Sequence, residues 1–174
     1  MIKENSMNLW FVINEYFQGE KVEALVFILS IGLLSLVFGL WLITEGGSFA
    51  KGVAIPMLAL ALISITVGSV VGFRTPNQIK NLEHGLLKNK VVTLKSEIER
   101  MEKVNNAWPK YLFIWLAFGI IGLLLRFFTN NDFAQGIAVS LVFFSGVTLL
   151  IDGFAERRAI KYSYHLKLEL NKEN

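Results

Sequence analysis

The chain has 174 residues, of which 53% are hydrophobic and 18% charged, against roughly 25% charged in an ordinary soluble domain. It has no cysteine, which excludes disulfides, thiolate metal centres and cysteine nucleophiles. Its net charge of +3 comes from bases standing beside long apolar blocks, which makes them topology signals and gives no reason to expect a nucleic-acid partner.

In chain order, residues 1–23 hold Met7, Leu9, Trp10, Val12, Ile13, Tyr16 and Phe17 among polar residues. Ser6 is placed to cap this stretch and Gly19 to end it. It reads as a cytoplasmic or interfacial helix lying on the bilayer, where the Trp10 and Tyr16 rings are half wet. Packing against the helix bundle is the competing reading.

Residues 24–73 contain two apolar blocks, 24–44 and 52–73, each about 20 residues long and enough to cross a hydrocarbon core about 30 Å thick. The first exceeds a signal-peptide core of about 7–15 residues, so it is expected to stay in the mature protein. Glu45-Gly46-Gly47-Ser48 is a turn that folds the two into a hairpin. Small residues recur four apart: Ser35 and Gly39 in the first block, Ser64, Gly68 and Gly72 in the second. Such stripes let backbones approach closely, either to hold the four spans together or to recruit a helix of another membrane protein.

Residues 74–109 read as a cytoplasmic amphipathic helix. Thr75-Pro76-Asn77-Gln78 has the capping-box arrangement. Leu87, Val91, Leu94, Ile98 and Met101 then recur at spacings of four, three, four and three, a single apolar seam that needs a partner. The C-terminal tail, a second copy, the bilayer surface and a different protein are the alternatives.

Residues 110–154 form a second hairpin, with spans at 110–128 and 133–154 joined by Thr129-Asn130-Asn131-Asp132. In the tail, residues 155–174, alternating Tyr162, Tyr164, Leu166, Leu168 and Leu170 have a strand period. A helix through Ile160, Tyr164 and Leu168 is preferred, because a lone strand has no sheet to join.

Phe49-Ala50-Lys51-Gly52-Val53-Ala54 and Phe133-Ala134-Gln135-Gly136-Ile137-Ala138 open the second and fourth spans, 84 residues apart. Phe27-Ile28 and Phe113-Ile114 match near the start of the first and third. This reads as a duplicated two-helix unit in parallel orientation. Residues 1–23, 74–110 and 155–174 carry two, eight and five Lys and Arg, while the two tight turns hold only Lys51. Both termini and the middle segment are therefore expected in the cytoplasm. The expected fold is an all-α, multi-pass protein of the bacterial inner membrane, with two tandem transmembrane hairpins.

Ionisable groups within spans are few. Asp152 is expected to meet Arg74 or Lys110 as an interfacial ion pair. His84 and His165 have no metal-type partner at i+3 or i+4. No phosphate-binding loop or nucleophile elbow occurs. The expectation is therefore no enzyme, no cofactor and no metal, but a non-catalytic membrane interaction protein. Its best reading is an immunity protein that blocks a membrane-inserting bacterial toxin through the Ser64–Gly68–Gly72 face or the Leu87–Met101 seam. The alternative is a small channel or transporter subunit, a homo-oligomer lining its path with Ser30, Ser35, Ser64, Thr66, Ser145 and Thr148. The cysteine-free background gives a direct check on topology. Gly47→Cys should react with an impermeant maleimide on intact cells and Asn89→Cys only after permeabilisation; the reverse pattern would invert the orientation.

Overall fold

The computed structural model describes residues 2–173, with side chains from Leu9 to Glu173. Helix α1 spans Ile2–Val22 and passes through a π-helical turn, Glu23–Ile28, into α2, Leu29–Glu45. It is followed by α3 (Ser48–Lys88), α4 (Lys90–Asn105), α5 (Trp108–Phe128) and α6 (Asp132–Glu173). Four of the helical stretches, those containing α2, α3, α5 and α6, are long and apolar enough to cross a membrane.

α2 packs along α3 and α5 along α6, while α3 and α6 join the two pairs. At the end where α3 and α6 begin, the two backbones touch. A methyl group added at Gly52 would lie on the Phe133 carbonyl and 3.2 Å from the Gly136 Cα; one added at Gly136 would lie on the Phe49 carbonyl and 3.0 Å from the Gly52 Cα. Only residues without a Cβ allow this approach. Ala54 and Ala138, two residues further on in each helix, are fully buried.

At the opposite, polar end, α1, the last turns of α3, α4 and the second half of α6 close around one apolar core. Ile13, Phe17, Leu94, Met101, Tyr162 and Leu166 are its most buried members. The Tyr16 and Tyr162 rings stack with centroids 4.2 Å apart, an arrangement worth about 0.5–1.5 kcal/mol beyond burial.

Several sequence expectations are corrected here. Gly19 does not end the first helix, which runs on into α2; a glycine within a helix costs only about 1 kcal/mol, and this one lies against the Arg158 side chain. Leu9, Val12, Ile13, Tyr16 and Phe17 are buried against the other helices, so α1 does not present its apolar face to a bilayer surface. The Ser6 side chain lies outside the described side chains. Thr75 caps nothing: α3 continues through Pro76, and the buried Thr75 hydroxyl donates to the Val71 carbonyl at 2.7 Å. The break comes instead at Asn89, whose extended backbone and side-chain oxygen, accepting from the Val92 amide at 3.1 Å, start α4. Asparagine is among the strongest helix N-caps.

Because the chain turns at Asn89, Leu87 leaves the expected seam and is 84% exposed. Leu94, Ile98 and Met101 keep the seam, with Leu94 and Met101 fully buried in the shared core, while Val91, half-buried, stands outside it. The tail is helical as far as Glu173, and its buried Tyr162 and Leu166 belong to that core. Gly52→Leu should destabilise the protein by about 3 kcal/mol, the upper part of the overpacking range. Gly146→Ala, where an added methyl meets nothing within 4 Å, should be nearly neutral. Thermal unfolding in detergent reads both, and equal effects would contradict the backbone contact.

Candidate functional site: a cavity between the helix pairs

Between the Gly52–Gly136 contact and the polar core, the two helix pairs enclose a cavity of about 440 Å³. Its walls come from equivalent stretches of α3 and α6. Leu60 and Phe144, Ile63 and Val147, Ser64 and Thr148, Val67 and Ile151, Val71 and Ala155, and Arg74 and Arg158 all line it, each pair 84 positions apart. α2 adds Ile31, and the opposite wall carries Trp108, Tyr111 and Trp115. Ile63, Val67 and Tyr111 are exposed, so the cavity opens sideways between α3 and α5.

The walls are apolar and the floor is charged. Arg74 pairs with Glu20 at 3.0 Å, and Arg158 pairs with Glu23. Both glutamates come from the first helical stretch, Glu23 as the first residue of the π-helical turn. Three buried polar atoms at the floor have no partner among the described residues: Glu20 Oε2, Arg158 Nε and Trp108 Nε1. Each such group left unpaired costs about 1–3 kcal/mol, so the floor stores an unmet demand for one donor and two acceptors.

The predicted pairing of Asp152 with Arg74 does not form. Both residues line the cavity, but Arg74 turns to Glu20, and Asp152 accepts from Trp115 Nε1 at 2.8 Å. The reason is proximity: α1 brings a carboxylate to Arg74, and α5 offers an indole donor to Asp152. The Trp115 carbonyl in turn accepts from the Ser145 hydroxyl at 2.7 Å, tying α5 to α6.

The small-residue stripes are consumed internally. Gly68 lies against the Ala24 carbonyl, Gly72 against Leu25 and Gly39 against Leu58, and Ser35 is buried. Ser64 sits beside Gly32 and reaches the cavity wall. None of the three glycines is left to present a lipid-facing stripe.

A second polar constellation sits in the core below the cavity. Arg100 donates two hydrogen bonds to Glu97, at 2.8 and 2.7 Å, and the Tyr162 hydroxyl donates to Glu97 Oε1 at 3.0 Å. The guanidinium stands over the Phe17 ring, 5.6 Å from its centroid. Burial and the neighbouring Glu20 charge push the Tyr16 phenol up to about 12. Burial and Glu97 push the Tyr162 phenol up further. Both rings are packing elements, and Tyr162 is also a donor. At the far end of α6, Lys90 bridges Glu169 and Glu173 at 2.7 and 2.6 Å. Burial alone would raise the Glu169 carboxyl, but the hydrogen bonds from Lys90 and Lys172 outweigh it and hold the group below its usual range.

Nothing in the sequence pointed to Glu97 and Tyr162, since they lie 65 residues apart and Glu97 looks like an ordinary surface residue beside the seam. The cavity did leave a trace: its paired wall positions follow the spacing of the repeated hexapeptide. Among the described residues no group of three or more His, Asp or Glu side chains is placed to hold a metal ion. Comparison with protein families, curated proteins and solved structures returns no match for this chain.

Removing Arg100 alone leaves the Glu97 charge buried. Arg100→Ala should cost about 3 kcal/mol, while replacing Glu97 and Arg100 together by leucine, with Tyr162→Phe to remove the hydroxyl that would lose its acceptor, should cost much less. Unfolding of the two variants in detergent checks this, and equal losses would mean that Glu97 does not depend on Arg100.

Proposed function

We propose that this protein is a non-catalytic, multi-pass membrane interaction protein built by duplication of a two-helix unit. The reciprocal Gly52–Gly136 contact and the cavity walls paired at a spacing of 84 support the duplication. The clustering of fifteen Lys and Arg at the polar end supports a cytoplasmic position for both termini and the middle segment; the membrane we assign is the bacterial inner membrane.

The observation that carries the interaction reading is an apolar face on the polar-end core. Ile160, Tyr164 and Leu168 follow one line of α6 and are all exposed, and Phe11 of α1 is 67% exposed. The Lys161–Glu15 ion pair marks where α1 and α6 adjoin along this line. Leu168 lies about 20 Å of helix beyond Phe154, the end of the last apolar span, whereas the polar interface of a bilayer adds only about 5–8 Å on each side. Tyr164 and Leu168 therefore lie beyond the reach of lipid, and an apolar face in water is the mark of a partner surface.

The partner we assign is a membrane-inserting bacterial toxin, with this protein as its immunity factor. Gly68, Gly72 and the Leu94–Met101 part of the seam are used inside the fold, while Leu87 stands exposed away from the seam; the face we assign to the toxin is Phe11, Tyr164 and Leu168. A deletion strain should die in contact with parental siblings and survive alone. Complementation with the wild type should restore survival, and complementation with Tyr164→Lys and Leu168→Lys together, at equal protein level, should not. Survival of the deletion strain beside siblings would remove the immunity role, and protection by the double variant would remove this face.

A pore is the second reading, favoured by Ser64, Thr148 and Asp152 in the cavity. α3 and α6 meet backbone to backbone at Gly52 and Gly136, so the path of this reading is the one a homo-oligomer would line between copies. Ion flux from the purified protein in liposomes would support the pore and count against the interaction reading.

A further inference from the structure

We propose that the lateral cavity binds one phospholipid of the surrounding bilayer, of the zwitterionic type with a primary ammonium head group, with one acyl chain along the α3–α6 walls, the other left in the bilayer outside the mouth, and its head group at the Arg74–Arg158 floor. This goes beyond the interaction reading, because the cavity is separate from the Phe11–Tyr164–Leu168 face.

The dimensions fit one leaflet. About 20 Å of helix separates Leu60 from Arg74, and the same length separates Phe144 from Arg158. Half of a hydrocarbon core is about 15 Å, which leaves room at the floor for a head group. The mouth faces the right phase: Ile63 and Val67, apolar and exposed, stand at its rim, at a depth where the surroundings are lipid. An occupant therefore enters from the leaflet, chain first along an apolar wall.

The floor selects the head group. Its two arginines are matched by two glutamates in ion pairs, and Asp152 in the same lining adds a third carboxylate held by the Trp115 indole, so an anionic head group meets no excess of positive charge. A zwitterion meets both signs in place, with its phosphate toward Arg158 and Trp108 and its ammonium toward Glu20. The unpaired atoms match this division: Arg158 Nε and Trp108 Nε1 are donors, and Glu20 Oε2 is an acceptor. A primary ammonium has N–H groups to give to Glu20; a quaternary ammonium has none. Neighbouring side chains cover the three atoms, and turning the Arg158 and Glu20 side chains, which are 24% and 20% exposed, brings Arg158 Nε and Glu20 Oε2 to the head group.

The cavity wall carries its own reporters. In a Trp10→Phe, Trp41→Phe background the remaining tryptophans, Trp108 and Trp115, both line the cavity. In phosphatidylcholine vesicles, brominated phosphatidylethanolamine should quench them at a mole fraction roughly tenfold lower than brominated phosphatidylcholine, the factor expected for one hydrogen bond to a charged group. Ala155→Phe, which fills the floor, should abolish the difference. Independently, native mass spectrometry of the unaltered protein released from equimolar phosphatidylethanolamine, phosphatidylcholine and phosphatidylglycerol vesicles should show one retained phosphatidylethanolamine. Equal quenching by the two zwitterionic lipids, preference for phosphatidylglycerol, or a preference that survives Ala155→Phe would each overturn the proposal.

Discussion

The architecture depends on one backbone contact. At Gly52 and Gly136 the two central helices approach so closely that a Cβ on either would collide with the other's main chain. In lipid no hydrophobic force draws helices together, so close packing of this kind is the main source of association energy. The contact joins the α2–α3 and α5–α6 pairs at one end of the molecule. Pro56 lies one turn below it in α3, where its missing N–H leaves the Gly52 carbonyl without its intrahelical donor.

A second constraint acts at the other end. There α1, α4 and the extended ends of α3 and α6 form a core like that of a soluble helical domain, with stacked tyrosines, a Glu97–Arg100 pair and ion pairs around its edge. The chain is thus held at two ends by different physics: van der Waals contact between glycines above, and burial of apolar side chains away from water below. Neither end fills the space between. The cavity is the consequence, and its amphipathic character follows from where it lies, with walls belonging to the spans and a floor belonging to the polar core.

Much of this was legible in the residues. The four apolar blocks marked the four helices able to cross a membrane, and the repeated hexapeptide named the two stretches that touch. Local signals misled where longer-range packing outweighed them. Thr75-Pro76 looks like a helix start, but burial of Thr75 and its bond to the Val71 carbonyl carry α3 through. Gly19 looks like a stop, but Leu9 to Phe17 are anchored in the core, and Glu20 and Glu23 are anchored by arginines. Arg74 and Asp152 were read as partners because both stand at the same depth, and sequence does not reveal that Glu20 and Trp115 stand nearer. The cavity left only the 84-residue spacing of its wall positions, since a space is defined by what four distant segments fail to fill.

The central claim is that α3 and α6 are pinned together at their first turns. Spin labels at Lys51 and Gln135, equivalent positions of the two hexapeptides and one residue before each glycine, test it in nanodiscs by dipolar spectroscopy. A single narrow distribution at short distance is expected, broadened and lengthened when Gly136 is replaced by leucine. A broad or long distribution in the otherwise unaltered protein would mean that the two helices are not pinned at Gly52 and Gly136.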